Sequence, residues 1–239
     1  MTGQPCPRII PTAEDAVLVE FSQQIDPNNT ALISAWCSHI RQRLKFCLTD
    51  VVPSYGSVTV YYNPDLVDFR FVIHELQYIS NHQPEPASSA RRVIELPVWY
   101  HPTVGPDLQA MAAARNLTPE QIADLHSQTS YQVYALGFSP GFAFMGLVDS
   151  AIATPRLKRP RLRVAAGSVG IADQQTAVYP SVSPGGWQLI GRCSTPLFNE
   201  ETLSLLQVGD TIRFRAVDHK EFVALGGDDT PFDEAVASP

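Results

Sequence analysis

No pair of cysteines in this sequence has the spacing of a metal knuckle or a redox motif. Cys6, Cys37, Cys47 and Cys193 form no C-x-x-C, and no histidine stands at a zinc-ligand interval from them. Neither a disulfide framework nor a structural zinc is expected, and the thiols read as reduced. No apolar run reaches the ~18 residues that a membrane helix needs. The opening Met-Thr-Gly-Gln-Pro-Cys-Pro has no basic segment leading into an apolar one, and the reading is a cytoplasmic protein. Positive charge is scarce, with 17 Lys and Arg against 24 Asp and Glu and a net charge of −7. That balance argues against general polyanion binding but leaves room for one local anion site. There is no Walker loop, and Gly167-x-x-Gly170 is too short for a dinucleotide fingerprint. Ser168 lacks the Gly-x-Ser-x-Gly elbow of a serine hydrolase. If a nucleotide is handled, no standard motif handles it.

What is present is an ample core. Of 239 residues, 44% are apolar, enough for one large domain or two small ones. Proline is abundant at 20 against 14 glycines, which favours turns and short strands over long helices. Residues Ala16 to Phe21 read as a strand. Asp26-Pro27 reads as a cap and first turn, and Ile33, Trp36, Ile40 and Leu44 then share one helical face. Leu48 to Pro53 and Ser57 to Tyr62 read as two strands, Asp68 to Ser80 as a helix, Asn81 to Ala90 as a linker and Arg92 to Tyr100 as a strand. The order β-α-β-β-α-β is the split arrangement of ferredoxin-like domains. Two short helices follow, from Pro106 to Arg115 and from a capping box at Thr118 and Gln121. After Tyr131, short apolar runs alternate with Gly, Pro and Ser, as in a β-barrel or sandwich. The predicted boundaries are 1–90 for the first domain, 91–226 for the barrel and 227–239 for a loose tail.

The residues that suggest chemistry crowd between Tyr131 and Arg192. Leu136-Gly137-Phe138-Ser139-Pro140-Gly141-Phe142, Gly167 to Ala172 and Ser183-Pro184-Gly185-Gly186-Trp187 are rich in glycine. Consecutive amides there can cradle an anion or simply make tight barrel turns. Arg156, Lys158, Arg159, Arg161 and Arg163 form a basic cluster. It is either a solvated loop or, together with Arg192, an anion site, because a guanidinium fork matches carboxylates and phosphates. His126 stands at a helix C-terminus. The helix dipole accounts for it there, and its ordinary pKa also suits a general base. Phe142 and Trp187 read as core or as a pocket wall. No metal ligand set is apparent.

These segments carry a resemblance. With Ala16 to Phe21, Asp50 to Tyr55, Gly105-Pro106-Asp107-Leu108 and Leu125-His126-Ser127, they resemble the family that holds the B subunits of bacterial 5-oxoprolinase, the sporulation-kinase inhibitor KipI and the allophanate hydrolase subunit-one-like domains. Ala165 departs from the family's usual Pro, Asp173 and Ala177 from its usual Gly, and Cys193-Ser194 from its usual Thr-Pro. The resemblance implies an α+β chain with an N-terminal ferredoxin-like βαββαβ domain and a C-terminal cyclophilin-like all-β barrel. It implies one subunit of an ATP-dependent enzyme that opens pyroglutamate to glutamate, inactive alone. The implied partners are an A subunit of the LamB/YcsF type and a C subunit resembling allophanate hydrolase subunit two. ATP, with magnesium, would enter in the assembled complex. Alternatives are a KipI-like inhibitor of a histidine kinase and a urea or allophanate pathway domain. The expected site has His126 and Arg192 as catalytic groups. Arg156, Arg161, Pro184, Gly185, Gly186 and Trp187 would bind substrate or anion, and Phe138, Pro140, Gly141 and Phe142 would form the pocket wall.

Overall fold

The computed structural model describes residues 6–23, 26, 29–82 and 92–233. Two compact units divide the chain, Met1–Ala90 and Arg91–Pro239.

In the first unit, β1 (Arg8–Ala13), β2 (Ala16–Glu20), β3 (Leu48–Pro53) and β4 (Ser57–Tyr62) form one antiparallel sheet in the order β1-β2-β4-β3. The helices α1 (Asn29–Arg43) and α2 (Phe69–Asn81) share one core with it. Period-two alternation sends Val17, Val19, Val58 and Val60 inward, where they share that core with Ile33, Trp36, Ile40 and Leu44 and with Val72, Leu76 and Ile79;. Asp68 caps α2 by accepting the Phe71 amide at 2.9 Å;. Pro27, expected in the first turn of α1, lies outside the described residues, as does most of the expected Asn81 to Ala90 linker.

This arrangement differs from βαββαβ at both ends. β1, with Pro11 inside it, is an additional strand. It forms the edge of the sheet beside β2, where a strand tolerates a missing amide donor;. The strand expected over Arg92 to Tyr100 exists as β5 (Val93–Trp99) but pairs inside the barrel with two of its strands. Local alternation identifies a strand but does not choose its sheet.

The second unit continues with α3 (Leu108–Arg115), α4 (Pro119–Gln128), β6 (Ser130–Leu136), β7 (Ala143–Gly146), β8 (Arg161–Val164), β9 (Ser168–Ala172), β10 (Gln175–Val178), β11 (Ser183–Gly185), β12 (Gln188–Cys193), β13 (Phe198–Asn199), β14 (Leu203–Ser204), β15 (Thr211–Ala216) and α5 (His219–Ala224). Six of these strands and β5 close a seven-stranded barrel in the order β10-β7-β6-β15-β5-β12-β9. Every pairing is antiparallel except that of β15 with β5. The ribbon β8–β11 and the pair β13–β14 stand outside this ring. Thr118 and Gln121 make both bonds of the capping box expected at α4. Asp173 turns β9 into β10 at φ 53°, a left-handed conformation that Asp tolerates better than most residues.

Residues 227–233, expected to belong to a loose tail, instead run as a strap against the barrel unit. The Phe232 amide donates to the Thr103 carbonyl at 2.7 Å, and its ring packs on the core.

Candidate functional site

Two neighbourhoods on the second unit collect the chemistry-bearing residues, and the β8–β11 ribbon contributes to both. The first begins at the β6–β7 loop, where Gly141 is buried and turns at φ +82°. Phe142, also buried, lies with its ring centroid 5.4 Å from Tyr179 and 5.7 Å from Trp187. Phe138 completes the group at 5.1 Å from Phe142, yet its side chain is 62% exposed and its φ is +72°. A phenylalanine held in left-handed backbone and turned to solvent is sparsely populated without a surrounding reason. The Arg156 guanidinium stands 5.7 Å above the Trp187 ring, within cation–π range. The Leu157 amide donates to the Gly186 carbonyl at 2.7 Å, pinning the basic loop to the ribbon. Gly185 is required by contact, since a Cβ there would come within 2.2 Å of the Tyr179 hydroxyl oxygen. Burial raises the Tyr179 hydroxyl to about 12 despite the nearby Trp187 backbone bond and Arg156 and Arg161. The structure thus gathers Phe138, Phe142, Arg156, Gly185, Gly186 and Trp187 in one neighbourhood. Pro140 and Pro184 sit exposed on the same loop and ribbon.

The second neighbourhood is a cleft of about 360 Å³ whose walls include Arg163, Val182, Arg192 and Phe232. Arg192 is only 2% exposed on β12. Its Nη1 donates to the carbonyls of Asp228 at 2.8 Å and Thr230 at 2.9 Å. The Asp228 carboxylate lies 3.4 Å from the same nitrogen. Nε is buried with no hydrogen-bond partner. Burial pulls the guanidinium pKa down, opposed by Asp228 and Asp229. The Asp228 carboxyl is held low, first by its bonds from Thr230 and then by Arg192. Gly167, at φ +78°, turns tightly beside this site, and a Cβ there would lie 2.6 Å from the Cys193 carbonyl oxygen and 3.1 Å from Arg192 Cγ.

Arg161 and His126 depart from their expected roles. The Arg161 guanidinium pairs with Asp107 at 2.8 Å, lies 5.2 Å from the Phe232 ring centroid, and donates to the Trp187 carbonyl at 3.4 Å. The other Asp107 oxygen accepts the Leu189 amide at 2.6 Å. Arg161 is therefore a strut between the start of α3 and the ribbon, with its charge already matched. His126 is fully buried. The Thr176 hydroxyl donates to the Gly170 carbonyl at 3.0 Å, so at 2.9 Å it accepts from His126 Nε2. His126 Nδ1 then accepts from the Tyr100 hydroxyl at 2.7 Å;. Both nitrogens of a neutral ring are occupied, and this chain of bonds ends at a backbone carbonyl. Burial drags the His126 pKa down to about 3 and pushes the Tyr100 hydroxyl well above its usual value;. The ring bridges core elements and is withdrawn from proton transfer.

Sequence reasoning missed Asp107 as the partner of Arg161, Tyr100 and Thr176 as the partners of His126, and the strap residues Asp228, Thr230 and Phe232. Arg163 stood out only as a member of a basic run. The one usable signal was Phe232, a large apolar side chain in an otherwise polar terminal stretch. Among the described residues no three His, Cys, Asp or Glu side chains gather so as to hold a metal ion, and no helix is long and apolar enough to cross a membrane.

Comparison with known proteins adds the family. A family described as the carboxyltransferase domain, subdomains C and D, matches residues 7–206. The 5-oxoprolinase B subunit of Bacillus subtilis (strain 168) is 34% identical over 223 residues, covering 88% of this chain and 93% of that protein. The 5-oxoprolinase B subunit of Escherichia coli O157:H7 is 42% identical over 172 residues, covering 70% of this chain and 77% of that one. The crystal structure of TTHA0988 superposes with a TM-score of 0.75 at 33% identity, over 85% of this chain, which spans 40% of that longer one. The K. lactis urea amidolyase matches at a TM-score of 0.76 over 95% of this chain and 16% of its own, but at 16% identity it speaks for the fold alone. With its closed barrel, its glycine-rich segments and this extent of shared sequence, the chain belongs to the carboxyltransferase C and D subdomain family, alongside the B subunits of 5-oxoprolinase.

Proposed function

We propose that this chain is the B subunit of an ATP-dependent 5-oxoprolinase, working with A and C subunits in the cytoplasm to open 5-oxo-L-proline to L-glutamate. The observation that carries the reading is identity of 34% over 88% of the chain to a protein of that name. In this reading the barrel keeps the cyclophilin-like type of the family.

The chemistry accounts for the nucleotide. A lactam carbonyl is a poor electrophile because nitrogen shares its electrons with the carbonyl. Transfer of the terminal phosphoryl group of ATP to the carbonyl oxygen makes the ring carbon attackable by water. The adduct collapses with cleavage of the ring C–N bond, the nitrogen taking a proton, and a second water releases phosphate from the acyl phosphate left behind. Such a step needs fixed cations near the transferred group. The Arg156 guanidinium, exposed above Trp187, has the chemistry a phosphate takes, and Gly185 and Gly186 hold the adjoining ribbon close. ATP and its magnesium belong to the assembled complex in this proposal. Arg192 serves it as a carboxylate or phosphate partner rather than as a proton donor.

The test is reconstitution. The chain with purified A and C subunits should release glutamate from 5-oxo-L-proline with ATP hydrolysis, and the chain alone should release none. Absence of glutamate from the full set, with each partner shown to be folded, overturns the assignment. Arg156→Ala should lower turnover about tenfold or more if the cation stabilises the phosphoryl group.

A further inference from the structure

We propose that the Arg163–Arg192 cleft binds a small carboxylate with an apolar body, and that residues 227–232 form a strap whose Asp228 carboxylate supplies the Arg192 counter-charge until the ligand arrives. The site itself stands on the geometry below; naming its ligand as 5-oxo-L-proline rests on the function proposed above.

Arg192 makes the case. A cation inside a β-strand needs near-complete pairing to remain buried. Here two backbone carbonyls and one carboxylate at 3.4 Å share Nη1, while buried Nε has no acceptor. The carboxylate belongs to a side chain that is 64% exposed, a weak counter-ion for so buried a charge. Buried polar atoms left unmatched are rare and concentrate where a ligand completes the set. A carboxylate bridging the Nε edge would do so, since a guanidinium offers parallel donors along that edge. Arg163, exposed on β8, lines the same cleft and supplies a second guanidinium. Ala165, Val182, Pro231 and Phe232 give the rest of the wall an apolar character. A volume of about 360 Å³ suits a small metabolite.

The strap is held at its two ends and, between them, by Arg192. It starts at Gly226, with φ +81°, and Gly227, which packs so closely on Phe222 that a Cβ would come within 2.4 Å of the ring. Its outer hold is the exposed Asp229–His219 pair at 2.8 Å. Its inner end is anchored by the Phe232 amide on Thr103 and by Arg161 over the Phe232 ring. A strap hinged on two glycines and pinned at its far end can lift Asp228 from Arg192 without unfolding the barrel. An incoming carboxylate on the Nε edge then takes over from Asp228 as the counter-charge of the guanidinium.

Calorimetric titration of the full chain decides it, with three probes: cyclopentanecarboxylate, 5-oxo-L-proline and 5-oxo-L-prolinamide. Both acids should bind, and the uncharged amide about tenfold more weakly or worse. Arg163→Ala should weaken both acids severalfold. Asp228→Asn, which removes the internal counter-charge, should tighten both severalfold. Both side chains are exposed, so the fold survives either change. Equal binding of acid and amide, no binding of any probe, or acid affinities unmoved by both substitutions overturns the proposal. The two proposals separate cleanly. Cyclopentanecarboxylate bound through Arg163 while 5-oxo-L-proline is ignored keeps the site and counts against the enzyme assignment. Tight 5-oxo-L-proline binding indifferent to Arg163 and Asp228 does the reverse.

Discussion

Two arginines, one in each unit, have their charge matched to different degrees. In the first, Glu75 is nearly buried, and both Arg43 Nε at 2.7 Å and Nη2 at 2.6 Å converge on one of its oxygens. Arg43 in turn lies 3.9 Å from the Tyr78 ring centroid. In the second, the hydroxyls of Ser139, Ser168 and Ser183 and the Nε of Arg192 are buried with no hydrogen-bond partner. The first pair is closed on itself. Polar atoms left unmatched hold stabilisation in reserve for something that binds, and the ligand site proposed above is placed at Arg192, in the barrel unit, on that ground.

Three perturbations test that contrast. The largest effect should come from Trp36→Ala in the first unit. Trp36 is 2% exposed, and emptying such a site costs about 3–5 kcal/mol. Hydrogen exchange should rise across Met1–Ala90 while carboxylate binding to the barrel unit keeps its affinity; a parallel loss of binding would break the division of labour.

The next concerns pH. His126 has a folded pKa of about 3 against ~6.5 in an unfolded chain. The unfolded state binds the proton first, so the stability contributed by the neutral ring is complete above pH ~6.5 and is lost as pH falls toward 3. Denaturant titrations should show the loss approaching ~1.4 kcal/mol per pH unit, about 2 kcal/mol by pH 5. His126→Gln should flatten that slope and leave carboxylate affinity unchanged. An unaltered slope would show that the ring is not the buried neutral bridge described above.

The smallest is Gly185→Ala. Its new methyl meets the Tyr179 hydroxyl, and overpacking of this kind costs about 1–3 kcal/mol. Thermal melting should shift modestly, and the Trp187 fluorescence should change because Tyr179 and the ribbon must move apart.

Much of this fold was legible from pattern alone. The apolar face of α1, the start of α2 near Asp68, the capping box at Thr118 and the short barrel strands are all local signals, and local physics sets them. The sheet membership of β5 was not legible, because β12 and β15, which capture it, begin roughly a hundred residues later. β1 was hidden by Pro11 and by its exposed, mixed composition. At the candidate site, glycine and arginine marked segments that the structure brings together, but their partners were invisible. His126 finds Thr176 across 50 residues and Arg161 finds Asp107 across 54, separations at which sequence carries no directional information. The strap was misread because one apolar side chain among acids and glycines does not look like an anchor until the cleft beneath it is known.

The parallel pairing of β15 with β5 sets an order of events. Ribosomes deliver Val93–Trp99 more than a hundred residues before Thr211–Ala216, yet the ring cannot close until the second lies beside the first. The opening module has all its sheet partners by Tyr62 and both helices by Asn81, so it can collapse while the remainder is still being made. The nascent barrel must wait with an unsatisfied strand edge on β5, a stretch during which chaperone capture or premature association is the main hazard.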